Sequence, residues 1–375
     1  MTQQRDLGQP TADPSTGSAA GPGTLDLPEL SEKGAFRLRP RVVVATCSIL
    51  VAVLLLSTAS GAAGLPVSGV VRSLLNLIPG VSVPTTLDAR SEAVLLQIRL
   101  PRTILGMLVG AALGMAGASF QGVFRNPLAD PYLLGVSAGA GFGAVLALGF
   151  GLDIGWRAVS AVPAAAFLGA IVAVLASVLV ARGSWTSPAT LLLSGVAVAA
   201  LFSAAQTYAL QRLDETKARE VLSWLFGRLA TSGWDQVLLL LPYVLLCGAI
   251  LVALRRHLDV LRLGDEEARS LGLNPARSRL IIITSATLLT AAAVSVSGLI
   301  AFVGLVVPHI VRLLTSHSYR IIVPLSALVG ASFLALVDVW SRTIVAPAEL
   351  PVGIITAFVG APFFALVLRR SRRSV

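Results

Sequence analysis

The sequence predicts an all-α integral membrane protein of ten transmembrane helices with both termini in the cytoplasm. Three observations predict it. The 375 residues are 55% hydrophobic and only 13% charged, with a mean hydropathy of +0.83, too apolar for a water-soluble fold of this length. The apolar residues fall into separate runs near the ~20 residues a helix needs to cross a bilayer. Nothing in those runs alternates with the two-residue period of a barrel strand. The net charge of +10 sits in short loops between runs, which reads as an orientation signal and not as a nucleic-acid surface.

Residues 1–40 are rich in Gly, Pro, Ser and Thr and read as a disordered cytoplasmic tail. A membrane domain is expected over 41–370. A secretory leader would carry its apolar region nearer the start, so the run at 42–62 reads as a retained first span. Further runs cover 94–121, 132–151, 157–181, 189–210, 236–254, 280–300, 302–316, 321–341 and 351–368. Those at 132–151 and 302–316 are short or Gly-rich. Arg37, Arg39 and Arg41 flank the first run, and Arg369, Arg370, Arg372 and Arg373 follow the last. Both clusters favour the cytoplasm, which requires an even number of spans. Cys47 and Cys247 fall inside apolar runs and are expected as buried free thiols. With three histidines they supply no structural zinc set.

Within the second run, Arg99-Leu-Pro-Arg102 opens the long apolar stretch from Thr103 to Gly122. Proline fixes φ and needs no N–H in a first turn, so a helix is expected to start near Leu100 or Pro101. Its two arginines share one side and oppose the macrodipole. On the ten-span topology they lie on the outer face, against the positive-inside bias. Exposed cations that suit neither helix nor bilayer are expected to serve something that docks. Arg342, four residues after Asp338, is expected to pair with it and to turn its remaining donors outward.

Asn126-Pro-Leu-Ala-Asp-Pro131 must leave the helix in an extended turn. It reads either as a plain connection or as a lining of the inner mouth. Between 211 and 236, Trp224, Phe226 and Trp234 suit an interfacial helix or, as the plainer reading, an aromatic belt. The polar loop 255–279 contains Leu263-Gly-Asp-Glu-Glu-Ala-Arg-Ser-Leu-Gly272, which spells a short helix. Asp265 is expected to cap it, Glu266 and Glu267 to complement its dipole, and Arg269 to pair with Asp265. Gly272 supplies a left-handed stop. Ala268, Leu271 and Leu273 leave a small apolar face. A helix of two turns is marginal alone and needs a surface to lie on.

Two other function classes leave traces. Gly135-Val-Ser-Ala-Gly139, with His309 in another run, fits the pattern of a serine nucleophile in an intramembrane protease. That pattern needs a strand–turn–helix context, and the glycines at 135, 139, 141 and 143 are better used for close helix approach. A secondary transporter would want more intramembrane acid than Asp338 alone. The two lysines, Lys33 and Lys217, follow Glu32 and Thr216, so the chain has no Walker A loop. ATP-driven work would need a separate ATPase.

These residues resemble the FecCD-type permease family, the membrane subunits of bacterial ABC importers for ferric siderophores, haem and cobalamin. The words that carry the resemblance begin with Arg99-Leu-Pro-Arg102, Leu108-Val-Gly-Ala-Ala112, Arg125-Asn-Pro-Leu-Ala-Asp-Pro131 and Leu134-Gly-Val-Ser. Leu263-Gly with Ala268 and Leu271-Gly272 follow, then Phe302-Val-Gly-Leu-Val-Val-Pro-His-Ile-Val-Arg312, Glu349-Leu-Pro-Val-Gly353 and Gly360-Ala-Pro-Phe363. The resemblance implies a ten-helix, type II importer-like permease subunit in the bacterial cytoplasmic membrane, carrying a ferric siderophore or, alternatively, haem or cobalamin. It implies a second permease subunit, two cytosolic ABC ATPases holding ATP and Mg, and an extracytoplasmic substrate-binding protein. This chain itself would hold no cofactor, metal or catalytic site, and would meet lipid but no nucleic acid. By the same resemblance, Arg99, Arg102 and Arg342 meet acidic residues of the binding protein. Leu263, Gly264, Asp265, Glu266, Ala268, Arg269, Leu271 and Gly272 couple to the ATPase. Asn126, Leu128 and Ser187 fall at the inner gate.

Overall fold

The computed structural model describes residues 40–61, 64–151, 161–182, 188–229 and 233–371. The tail expected over 1–40 (Pro40 apart) and the gate candidate Ser187 lie outside them. Among the described residues all regular structure is helical. The order begins α1 (Pro40–Ala59), α2 (Val67–Leu75) and α3 (Ala89–Val94), then a π turn (Leu95–Arg99) leading into α4 (Leu100–Val123). A 3-10 turn (Pro131–Leu134) precedes α5 (Val136–Phe150), α6 (Ala161–Val180), α7 (Pro188–Leu210) and α8 (Glu215–Leu225). Then come α9 (Trp234–Ala253), α10 (Arg255–Leu261), α11 (Asp265–Ser270), α12 (Pro275–Ser297), α13 (Val303–Leu314), α14 (Tyr319–Thr343) and α15 (Val352–Ser371).

Every apolar run read from the sequence carries a helix. Among the described residues, seven helices are long and apolar enough to cross a bilayer, and the apolar parts of α5, α13 and α15, which carry three further expected spans, are shorter. The shortening has local causes. α5 stops at Gly151 with φ +62°, and α13 is cut from α12 by a non-helical stretch at 298–302.

The helix carrying Arg99 and Arg102 does not start at Leu100. It runs from Ala89 to Val123, with Pro101 inside it. The π turn explains how. Leu100 N–H bonds back to Leu95 C=O, five residues away, and the wider turn makes room for a proline ring. In that register Pro101 would serve the Leu96 carbonyl but has no N–H to give. Trp234 Nε1–H donates to Leu96 O instead, at 3.0 Å. Trp234 therefore has a specific structural duty beyond that of a belt residue.

α4 is the axis of the molecule. It is buried along nearly its whole length and packs on α14, α12, α13 and α9. Its crossing with α14 is glycine on glycine: a Cβ added to Gly110 would collide with Gly330 O, and one on Gly330 with Gly110 O. α5 and α6 meet the same way at Gly139 and Gly169. Without a hydrophobic driving force between helices in lipid, such close contact is what holds them. Gly135 to Gly139 thus opens a helix instead of a strand–helix elbow, and His309 packs edge-on against Phe363, so the protease reading gains nothing. Cys247 is buried, but Cys47 lies on an exposed face of α1, contrary to expectation; both thiols are free.

Candidate functional site

Two charged clusters stand at opposite ends of α4, and a polar turn and an apolar hollow complete the candidate machinery. At the N-terminal end, Arg102 donates through Nε and Nη2 to Asp338 Oδ1 at 3.0 and 2.9 Å. Its Nη1 donates to Glu349 Oε1 at 2.9 Å. Arg342 Nε lies 3.0 Å from Asp338 Oδ2, as the four-residue spacing foretold. The remaining donors of Arg342 are not turned outward: Nη1 reaches Ser60 O, and Nη2 reaches Ser57 O and Ser57 Oγ. Arg99 Nη1 donates to Thr58 O and Ala59 O.

This arrangement corrects the expectation of exposed cations at Arg99, Arg102 and Arg342. All three are buried, because two of them finish another helix. The last carbonyls of α1 have no intrahelical donors, and the negative end of its dipole attracts cations. Arg99 and Arg342 supply both needs for Ser57 to Ser60. Arg102 is the member whose partner reaches solvent, since the Glu349 side chain is 39% exposed. Glu349 and Ser57 escaped sequence reasoning: each lies hundreds of residues from its arginine in the chain, and no spacing rule links them.

At the other end, Asp265 on α11 accepts from Arg279 Nη1 and Nη2 at 2.7 and 2.6 Å and from Arg125 Nη2 at 2.6 Å. Asp265 therefore neither caps α11 nor pairs with Arg269. Gly264, with φ +140°, takes the cap position, and the Asp265 carboxylate turns sideways to tie α11 to α12 and to the end of α4. The hydrogen bonds from Arg279, joined by the charges of Arg279 and Arg125, hold its carboxyl below the usual range against a smaller effect of burial. Asp259 on α10 makes a parallel tie. Its Oδ1 accepts from Tyr319 N–H and its Oδ2 from Ser318 Oγ–H, both at 2.7 Å, capping α14. Ala268 is fully buried, whereas Leu263 and Leu271 are 62% and 65% exposed. Glu266, Glu267 and Arg269 are also exposed, and Gly272 has the expected left-handed φ of +79°. Asn274 caps α12 by accepting from Arg277 N–H.

Beside this end, Asn126 Oδ1 accepts from Leu128 N–H at 2.9 Å, a local turn that leaves Leu128 partly exposed. Along α15 lies a hollow of about 600 Å³ whose lining is apolar throughout: Leu225, Phe226, Leu299, Ala301, Gly353, Ile354, Ala357, Phe358, Ala361 and Pro362. It was invisible to motif reading because apolar residues in apolar runs carry no local signal. Among the described residues, no group of three or more His, Cys, Asp or Glu side chains could hold a metal ion.

The sequence profile of the FecCD transport family matches residues 49–370. The ABC transporter permease protein YvrB of Bacillus subtilis is 42% identical over 329 residues, covering 87% of this chain and 92% of that protein. The Fe(3+)-citrate import system permease protein YfmE of the same organism is 37% identical, covering 89% and 97%. The hemin transport system permease protein HmuU of Yersinia pestis is also 37% identical, covering 90% and 98%. A solved inward-facing structure of a metal-chelate type ABC transporter superposes with a TM-score of 0.77 at 33% identity, covering 88% of this chain and all of that one. A bundle built on a buried, glycine-packed α4, with the profile spanning nearly all its helices, therefore belongs to the FecCD transport family.

Proposed function

We propose that this chain is the membrane subunit of an ATP-driven importer that carries a metal chelate, with a ferric siderophore as the cargo. The observation that carries the reading is α11. A six-residue helix is fixed to the bundle through Asp265 while Leu263 and Leu271 point their apolar side chains into solvent. A rigidly mounted element with exposed leucines is suited to seat on a separate ATPase, which the absent Walker A loop requires. The opposite end of α4 receives the substrate-binding protein, and Arg102, which meets the surface through its partner Glu349, is offered to an acidic residue of that protein. Charge complementarity of this kind speeds encounter and fixes orientation. Two copies of the chain, or this chain with a close relative, form the conduit. The apolar hollow along α15 offers cargo a wall without strong hydrogen bonds to hold it back. The relatives named for ferric citrate and hemin support a chelate as cargo.

The test is reconstitution in liposomes with a cognate ATPase and binding protein. Radiolabelled ferric siderophore should enter only with ATP, and haem or cobalamin should compete poorly. Leu271→Asp should leave ATP hydrolysis running while uptake falls at least about tenfold, the factor expected for losing roughly 1.4 kcal/mol of interface. Arg102→Glu should weaken binding-protein association without dissociating the ATPase. Uptake that persists without the ATPase, or a Leu271→Asp variant that imports normally, rejects the assignment.

A further inference from the structure

In the break between α12 and α13, a single phenol serves both backbone groups of Ile300. α12 ends at Ser297, and α13 begins at Val303. Between them Gly298 takes φ +69°, ψ −164°, a conformation open essentially to glycine alone. Phe302 takes φ +68°, which is strained for a bulky residue. Backbone outside a helix at membrane depth must find partners within the protein. For the buried Ile300 both come from one atom: Tyr132 Oη–H donates to Ile300 O at 3.0 Å, and Ile300 N–H donates to Tyr132 Oη at 3.3 Å.

Tyr132 sits in the 3-10 turn that ends the 126–134 segment, and this turn is wedged from several sides. A Cβ on Gly304, in the first turn of α13, would stand 2.9 Å from Pro131 Cδ. Ser177 Oγ–H on α6 donates to Leu134 O, and Gly195 on α7 abuts Leu133 O. Asp130 Oδ1 accepts from Tyr132 N–H at 2.8 Å. The break's other neighbours, Leu299 and Ala301, line the apolar hollow. One side chain thus joins the wall of the hollow to the turn that carries Asn126 and Leu128.

We propose that Tyr132 is a positioning residue that latches the 126–134 turn to a hinge at 298–302, so that movement of the hollow's wall releases the inner mouth. This rests on reading 126–134 as the mouth of an importer. Strained backbone held by a few hydrogen bonds is characteristic of switch regions. When the phenol leaves, Ile300 loses both partners at once and the turn loses its tie to the 298–302 break, while Pro131 and Leu134 remain packed. The turn then swings away from the hinge and uncovers the fully buried Ala129.

The experiment needs only the purified chain in lipid nanodiscs. In a background of Cys47→Ala and Cys247→Ala, Ala129→Cys reports opening through its rate of reaction with a membrane-impermeant maleimide. Tyr132→Phe keeps the ring and removes both hydrogen bonds, so labelling should accelerate roughly tenfold, with exchange of the Ile300 amide rising in parallel. Replacing Tyr132 by 4-aminophenylalanine, nearly the same shape but a weaker donor and a poorer acceptor, should give an intermediate rate and covers the case in which Tyr132→Phe fails to fold. Faster Ile300 exchange with unchanged Ala129→Cys labelling overturns the latch and leaves Tyr132 a purely local support. Because no ATPase or cargo is used, this result stands apart from the uptake test. Failed import with a responsive latch rejects the importer reading, whereas normal import with an unresponsive latch rejects only the latch.

Discussion

Asp338 is the residue on which the N-terminal cluster turns. It neutralises Arg102 and Arg342 together while 1% exposed. A buried ion pair adds little over a well-packed apolar pair, but removing one partner strands the other charge. Asp338→Asn should therefore destabilise the bundle by about 3–5 kcal/mol, measured by thermal unfolding in detergent against wild type, and Glu349→Gln, at the rim, should cost far less. A loss below about 1 kcal/mol for Asp338→Asn would show that solvent or lipid headgroups take over its role. The pairing of Asp338 with Arg342 was legible because helical spacing puts them side by side. The fate of Arg99 was not. Its charge marked it as unusual in the sequence, but its true partners are main-chain carbonyls, and any sequence can supply those.

Helices were legible wherever an apolar run had length, and less so where a run was interrupted. The interruption at Pro101 read as a start because proline suits a first turn. The structure carries the helix through it because a π turn absorbs the ring and an indole repairs the vacant carbonyl. That repair makes a paired test. Trp234→Phe should cost about 1–3 kcal/mol by leaving the Leu96 carbonyl unsatisfied. Pro101→Ala restores an N–H in place, so the same Trp234→Phe change should cost much less in that background. Equal costs in the two backgrounds, read as a double-mutant cycle from unfolding curves, would assign the effect of Trp234 to packing alone. The short α11 shows the reverse case. Its existence, its stop at Gly272 and the start of α12 at Asn274 followed from local chemistry, but the direction of the Asp265 side chain was decided by Arg279 and Arg125 from elsewhere in the fold.

For the whole molecule, α4 and α14 are braced at both ends. Asp338 ties them to each other at one, while at the other Asp265 ties the end of α4 to α11 and α12 and Asp259 ties the start of α14 to α10. The Asp265 tie titrates in a definite direction. Its carboxyl is held below the ordinary value, so its contribution is complete above the unfolded pKa of about 3.9 and is lost as pH falls through the lower, folded value. Acidification below about pH 4 should therefore loosen α11 before the buried helices unfold. Amide exchange across 265–270 should rise there in the wild type, and Asp265→Asn should already exchange fast at neutral pH with no further acid response. A flat profile in the wild type would place the anchoring of α11 in Ala268 instead. The all-helical class and the position of this loop could be read from composition and punctuation. The two-ended bracing could not, because it depends on which distant charges meet after the helices pack.

One contact also dictates how the chain is made. Arg102 and Asp338 are separated by 236 residues, and at ordinary synthesis rates the acid follows the base by roughly 10–50 s. For that interval the nascent polypeptide holds α4 with a guanidinium whose counter-ion has not yet been translated. Biogenesis must shelter that cation at the insertion machinery or at the bilayer rim until α14 arrives, and a ribosome that stalls between the two leaves an orphaned positive charge in the lipid as a mark of the unfinished product.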